Sequence, residues 1–171
     1  GFTMSVNNIA TSGVYQTELR GSADAFVAKF NSNGQRLWAS YFGGSDYDTG
    51  HSIASFVNGD IVMVGWTKSK SNIATTDAHQ KYFSGGEFDS YIAKFTAGGQ
   101  LIWSTYYGGS NDDYINDVTI NGNNEIIVVG QTTSQINISS LYSYQEQLSG
   151  SFDAFVAKFN AQGRRLWGTY Y

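Results

Sequence analysis

Apolar positions in this chain come in short runs, and the runs return. Asp24-Ala25-Phe26-Val27-Ala28-Lys29-Phe30 reappears as Asp89-Ser90-Tyr91-Ile92-Ala93-Lys94-Phe95 and as Asp153-Ala154-Phe155-Val156-Ala157-Lys158-Phe159, at offsets of 65 and 64 residues. After a short turn each is followed by a second run: Leu37 to Phe42, Ile102 to Tyr107 and Leu166 to Tyr171. A third run, Asp60 to Thr67, matches Glu125 to Thr132, and Gly1-Phe2-Thr3 has the form of its tail. A fourth and weaker one, Ser52 to Phe56, matches Asp117 to Asn121. A fixed period of this kind marks a repeat architecture.

Each run reads as a β-strand. Phe26, Ala28 and Phe30 fall on one face of an extended segment, and Val27 and Lys29 on the other. Ile61 to Val64 is apolar throughout, which suits a strand covered on both faces, and it is too short for a helix with Gly65 directly behind it. Asn31-Ser32-Asn33-Gly34, Thr96-Ala97-Gly98-Gly99 and Asn160-Ala161-Gln162-Gly163 are tight-turn sequences, as are Asn58-Gly59 and Asn121-Gly122-Asn123-Asn124. The other connections are long.

Four strands per period, joined by hairpins, describe a propeller blade. The expected fold is therefore all-β, with blades of four antiparallel strands: A over about 51–57, B over 60–67, C over 89–95 and D over 101–107. The period divides the chain into a partial blade at 1–44, holding the end of B with C and D, and full blades at 45–109 and 110–171. That is about two and a half blades, and a propeller closes with roughly 4–8. The expectation is an arc of a larger ring, completed by the rest of the same polypeptide or by further copies. Alternating strand direction puts the short A–B and C–D turns on one face and the long B–C and D–A loops on the other. Loops over a rigid scaffold are where function concentrates.

Composition agrees with sheets: aromatic residues make up 16%, Gly numbers 20, and Pro and Cys are absent. Net charge is −4 and the ten Lys and Arg are scattered, so the clustered basic charge of a nucleic-acid groove is missing. No apolar run approaches the ~20 residues of a membrane-spanning helix.

The string Asn72-Ile73-Ala74-Thr75-Thr76-Asp77-Ala78-His79-Gln80, then Asp89 to Phe95, then Trp103-Ser104-Thr105-Tyr106-Tyr107-Gly108-Gly109, resembles the SBBP-type bacterial β-propeller repeat. The resemblance runs over essentially the whole chain. Ile9 to Gln16 keeps the first pattern, while Ile138 to Gln145 departs from it. Such repeats occur in large secreted or surface-exposed bacterial proteins, so the resemblance implies an extracellular or cell-surface location and a scaffold or adhesion role. It carries no catalytic residues with it.

Candidate chemistry is sparse. The recurring Asp24, Asp89 and Asp153 with Lys29, Lys94 and Lys158 read as structural, since a single site needs residues that differ between blades. Trp38, Trp103 and Trp167 recur as packing between blades. Asp46 and Asp48, and Asp112 and Asp113, are the candidate metal ligands: two carboxylates and loop carbonyls could begin a Ca²⁺ shell, although the spacing of known calcium loops is absent. His51 and His79 lie in different blade positions, without a partner motif for catalysis. Tyr47, His79, Tyr82, Tyr114 and Tyr142 project towards the long-loop face and are the candidate ligand contacts, for a protein partner or, with aromatic rings as stacking platforms, a glycan. No cofactor other than Ca²⁺ is suggested.

Overall fold

The computed structural model describes residues 1–171 and is all-β, with three antiparallel sheets. The first holds β1 (Phe2–Thr3), β2 (Asp24–Phe30) and β3 (Arg36–Phe42). The second is a four-stranded meander of β4 (Asp48–Ser55), β5 (Ile61–Thr67), β6 (Asp89–Phe95) and β7 (Leu101–Tyr107). The third repeats it with β8 (Asp113–Ile120), β9 (Ile126–Thr132), β10 (Asp153–Phe159) and β11 (Arg165–Tyr170). These are propeller-type blades, here numbered 1 to 3. In blades 2 and 3 the strands follow the order A to D, and the A strands β4 and β8 pack on each other.

Strand A begins earlier than the hydrophobic pattern indicates, at Asp48 rather than near residue 51. A register shift between Gly50 and Ser52 leaves His51 as a bulge, and one between Ile115 and Asp117 does the same to Asn116. The bulge switches side-chain parity mid-strand, so the first residues of the strand do not continue the alternation that follows them.

A second repeated bulge shapes strand D. Lys29 pairs with Trp38 but Phe30 pairs with Arg36, so Leu37 is extra; Ile102 and Leu166 are extra in the same way. The bulged residue points outward, with Leu37, Ile102 and Leu166 54%, 44% and 48% exposed. Trp38 is buried, and the recurring Trp faces the next blade.

Because the central strands are apolar on both sides, each blade needs two neighbours. Met63 packs with Trp38, Phe42, Tyr91 and Phe95 between blades 1 and 2. Val62, Val64 and Ile92 pack with Ile115, Val128 and Phe155 between blades 2 and 3. At the outer edge Trp38 Nε1 donates to the Ala97 carbonyl of the next C–D turn at 2.9 Å, and Trp103 Nε1 to Ala161 at 3.0 Å. The turn glycine is required there. Gly99 and Gly163 hold φ of +85° and +78°, and a Cβ on either would meet the tryptophan ring at 2.9 and 2.8 Å.

Trp103→Phe removes the hydrogen bond and keeps most of the packing. It should cost about 1 kcal/mol in urea unfolding, against about 3–5 kcal/mol for Trp103→Ala. No loss in Trp103→Phe would show that the indole N–H contributes nothing, and equal losses for the two would show that the ring packing does.

Candidate functional site on the long-loop face

The long-loop face is built on buried carboxylates, two in each of blades 2 and 3 and one in blade 1. The first opens strand A. Asp48 accepts from the Thr67 hydroxyl, from Ser69 Oγ at 2.9 Å and from the Gly44 amide at 2.8 Å. Asp113 repeats this with the Thr132 hydroxyl, Ser134 Oγ at 2.8 Å and the Gly109 amide at 2.6 Å. The second opens strand C. Asp24, Asp89 and Asp153 each accept from a loop glutamine, Gln16, Gln80 and Gln145, at 2.6, 3.2 and 2.8 Å. Each also accepts a loop amide, from Arg20, Ser84 and Ser149. The glutamines clamp the D–A link as well: Gly43 and Gly108 each donate an amide at 3.0 Å to Gln16 and Gln80.

The two kinds of carboxylate meet where one blade passes to the next. A Cβ on Gly108 would lie 2.6 Å from Asp89 Oδ1 and 2.7 Å from Asp113 Oδ2, and one on Gly43 would meet Asp24 and Asp48 in the same way. Only glycine fits between them. Asp89 and Asp113 are both fully buried, and Asp89 Oδ1 lacks a partner in hydrogen-bonding geometry. Burial is the main cause that raises the Asp89 carboxyl to about 7, with the nearby Asp113 adding to it. Burial likewise lifts Asp113 and Asp48 to about 6, although their hydroxyl and amide donors oppose it.

The candidate metal ligands therefore divide. Asp48 and Asp113 are buried and spent on hydroxyls and amides. Asp112 accepts the Glu87 and Phe88 amides at 2.6 and 3.1 Å, and exposed Asp46 accepts the Tyr47 amide at 2.9 Å. No three His, Asp or Glu side chains converge into a metal-holding group.

The five candidate ligand contacts do not form one site. Tyr47 and Tyr114 belong to an aromatic run that crosses the blades. Phe2 meets Tyr47 at 5.5 Å, Tyr47 stacks on Trp66 at 5.9 Å, and Trp66 meets Tyr114 edge-on at 5.6 Å. Phe88 joins Trp66 and Tyr114, with Lys68 Nζ 4.6 Å from its ring centroid, while His51 lies 5.3 Å from Trp66. Beyond Tyr114 the run opens into a hollow of about 350 Å³ lined by Gln131, Thr132, Thr133 and Phe152. His79 is half-buried in a blade joint, 5.8 Å from Phe159 and 6.5 Å from Tyr107. Burial there, with Arg165 and Arg164 nearby, lowers its pKa to about 4, which keeps the ring neutral. Tyr82 and Tyr142 stand on the B–C loops of different blades, 72% and 96% exposed.

No protein-family model matches the chain. It is 24% identical over 145 residues, 85% of its length, to the regulatory protein FlaEY of Caulobacter vibrioides. It is 27% identical over 170 residues, 92% of its length, to an uncharacterized WD repeat-containing protein of Acanthamoeba polyphaga mimivirus. The chain spans only 15% and 12% of the lengths of these two proteins. The second likeness agrees with the propeller-type blades.

Sequence reasoning did not find the loop glutamines or a recurring left-handed asparagine. Asn8, Asn72 and Asn137 hold φ of +63°, +64° and +70° at corresponding places in the B–C loops. In two blades an arginine, Arg36 or Arg165, ties down the loop at that carbonyl, at 2.9 and 2.8 Å. The signal was present as a third repeated offset, Asn and then Gln eight residues later, inside segments that otherwise vary.

Asp89 and Asp113 bind protons in the folded chain at a pH where the unfolded chain has released them. Stability attached to them is present below about pH 4 and is lost as pH rises through about 6 to 7. Asp89→Asn keeps an acceptor for Ser84 and offers an amide to Asp113. Its stability relative to the parent should rise by on the order of 1–3 kcal/mol between pH 5 and pH 8; a difference independent of pH would refute the assignment. Gly108→Ala, which drives a methyl into both carboxylates, should cost about 1–3 kcal/mol in denaturant unfolding.

Proposed function

We propose that this chain is a non-enzymatic propeller-repeat module, a rigid scaffold that presents its B–C loops to a protein partner in a secreted or surface-exposed bacterial protein. One observation carries the reading: the polar groups that recur from blade to blade are consumed inside the fold. The carboxylates and glutamines hold loops, Tyr106 and Tyr170 donate to the Ser69 and Ser134 carbonyls, and Lys94 and Lys158 pair with Asp60 and Glu125. What is left free is the loop residues that differ between blades, such as Tyr82 and Tyr142. Differing residues on a fixed frame are what recognition of one partner requires. A non-catalytic role agrees with the name of FlaEY, that of a regulatory protein. The bacterial surface setting rests on the resemblance to SBBP-type repeats.

A glycan-binding role is the second reading. It is favoured by the exposure of Tyr82 and Tyr142, whose rings are free for stacking on a sugar face.

A photo-crosslinking amino acid at position 142 or 82 should capture one protein partner from the producing bacterium, and the same group at Asn58 on the short-turn face should capture none. A glycan array probed with the chain should stay silent. Capture from position 58 alone would sink the loop-face assignment. Array binding that disappears with Tyr142→Ala would replace the protein partner with a sugar.

A further inference from the structure

The two joints between blades follow one plan, and at one place they differ. In the joint of blades 1 and 2, Tyr15 of the B–C loop packs edge-on against Phe95 at 6.3 Å, and Leu101 at the start of strand D packs on the same cluster. One repeat later, between blades 2 and 3, the corresponding residues are His79 and Arg165, and Arg164 stands where Gln100 stood. Tyr15 and Leu101 show that apolar packing is all the fold demands at these positions. The joint that carries an imidazole and two guanidinium groups there has exchanged packing for charge.

The exchange leaves a polar hollow of about 240 Å³ lined by His79, Gln80, Ser84, Asn137 and Arg165, with no apolar side chain among them. Tyr107 supports both basic groups: His79 lies 6.5 Å from its ring centroid and the Arg165 guanidinium 6.0 Å. Arg165 Nη1 donates to the Asn137 and Ile138 carbonyls at 2.8 and 3.0 Å, which anchors the guanidinium and leaves the donors of Nε and Nη2 outside those two bonds. The lining adds the Ser84 hydroxyl, the Asn137 side-chain amide and a His79 ring N–H as donors. The ion pairs of the chain are all made by lysines, so neither arginine has a carboxylate partner. The charges that act on His79, those of Arg165 and Arg164, are both positive. On its own loop Asp77 and Lys81, two positions to either side, carry opposite charges. Asp89, behind the wall, is fully buried and turned to Gln80 and the Ser84 amide.

We propose that this joint is a binding site for a doubly charged tetrahedral oxyanion, sulfate or phosphate, free or as the head of a monoester. Like charges held together repel, and a dianion removes that repulsion while accepting from a planar guanidinium fork. Arg165 takes the anion through Nε and Nη2, Arg164 supplies the second positive charge, and His79, Ser84 and Asn137 donate to the remaining oxygens. Bound there, the anion ties the B–C loop of blade 2 to strand D and the B–C loop of blade 3. The site stands on a joint between two four-stranded blades and does not depend on recognition through Tyr82 and Tyr142.

NMR titration of the two histidines tests it, with His51 as the internal control. In sulfate, against chloride at equal ionic strength, the His79 midpoint should climb from about 4 by about 1–3 pH units, and His51 should not follow. Arg165→Leu and Arg164→Gln install what the other joint carries at Leu101 and Gln100. The first should abolish the response to sulfate. The second, at an exposed position that leaves the Arg165 anchor intact, should weaken sulfate binding severalfold. At pH 7, O-phosphoserine that binds more tightly than inorganic phosphate marks a monoester as the ligand, and equal or weaker binding marks the free ion. A His79 midpoint equal in sulfate and chloride, a His51 midpoint that moves as far, a response that survives both substitutions, or nitrate as effective as sulfate would each overturn the proposal.

Discussion

A sheet that is apolar on both faces has two surfaces to keep from water, and every other feature of this chain answers that demand. Val62 and Val64 turn one way from strand B and Met63 turns the other, and all three are fully or almost fully buried. Burying one such side chain is worth about 1.5–3 kcal/mol, a gain that a lone blade could collect on neither side. The blades are therefore stable as neighbours, in the quasi-one-dimensional manner of repeat proteins. The strand D bulge serves the same contact: it turns the tryptophan into the joint and leaves the preceding Leu or Ile outside.

The joint at the top of the blades is polar, and it is where buried carboxylates collect. Asp24 or Asp89 from one blade and Asp48 or Asp113 from the next approach a single glycine, Gly43 or Gly108. Burying a carboxylate is costly unless donors surround it, and the loops supply them: threonine, serine and glutamine side chains with backbone amides of the D–A and B–C links. The arrangement makes the carboxylates part of the loop architecture. It also explains why the acidic residues nearest to a metal-ligand pattern do not gather into one shell.

Much of the blade was legible along the chain. Strands B, C and D stood out because their apolar runs are short and end at Gly, Asn or Asp, and the faithful offsets made the repeat secure. Strand A was misplaced because its first residues, Asp48 and Asp113, are acidic and looked like loop, and because the bulges at His51 and Asn116 interrupt the alternation. The candidate contacts fared unevenly. Tyr82 and Tyr142 are exposed on the loop face, whereas His79 is a wedge between blades. Its counterparts Tyr15 and Tyr144 are a different residue type, so the repeat that gives its role away is one of position and not of identity.

The order of residues by itself determined the period, the strand types, the split between short turns and long loops, and the recurring tryptophans, because these follow from local propensity and from periodicities of two and of about 64–65 residues. Only the tertiary structure decided which groups face one another across a joint. Asp89 and Asp113 lie 24 positions apart, and Trp103 and Ala161 lie 58 apart. Their meeting depends on the angle at which one blade is laid on the next. That angle is set by the summed packing of two apolar faces, a quantity that no single segment of the chain contains.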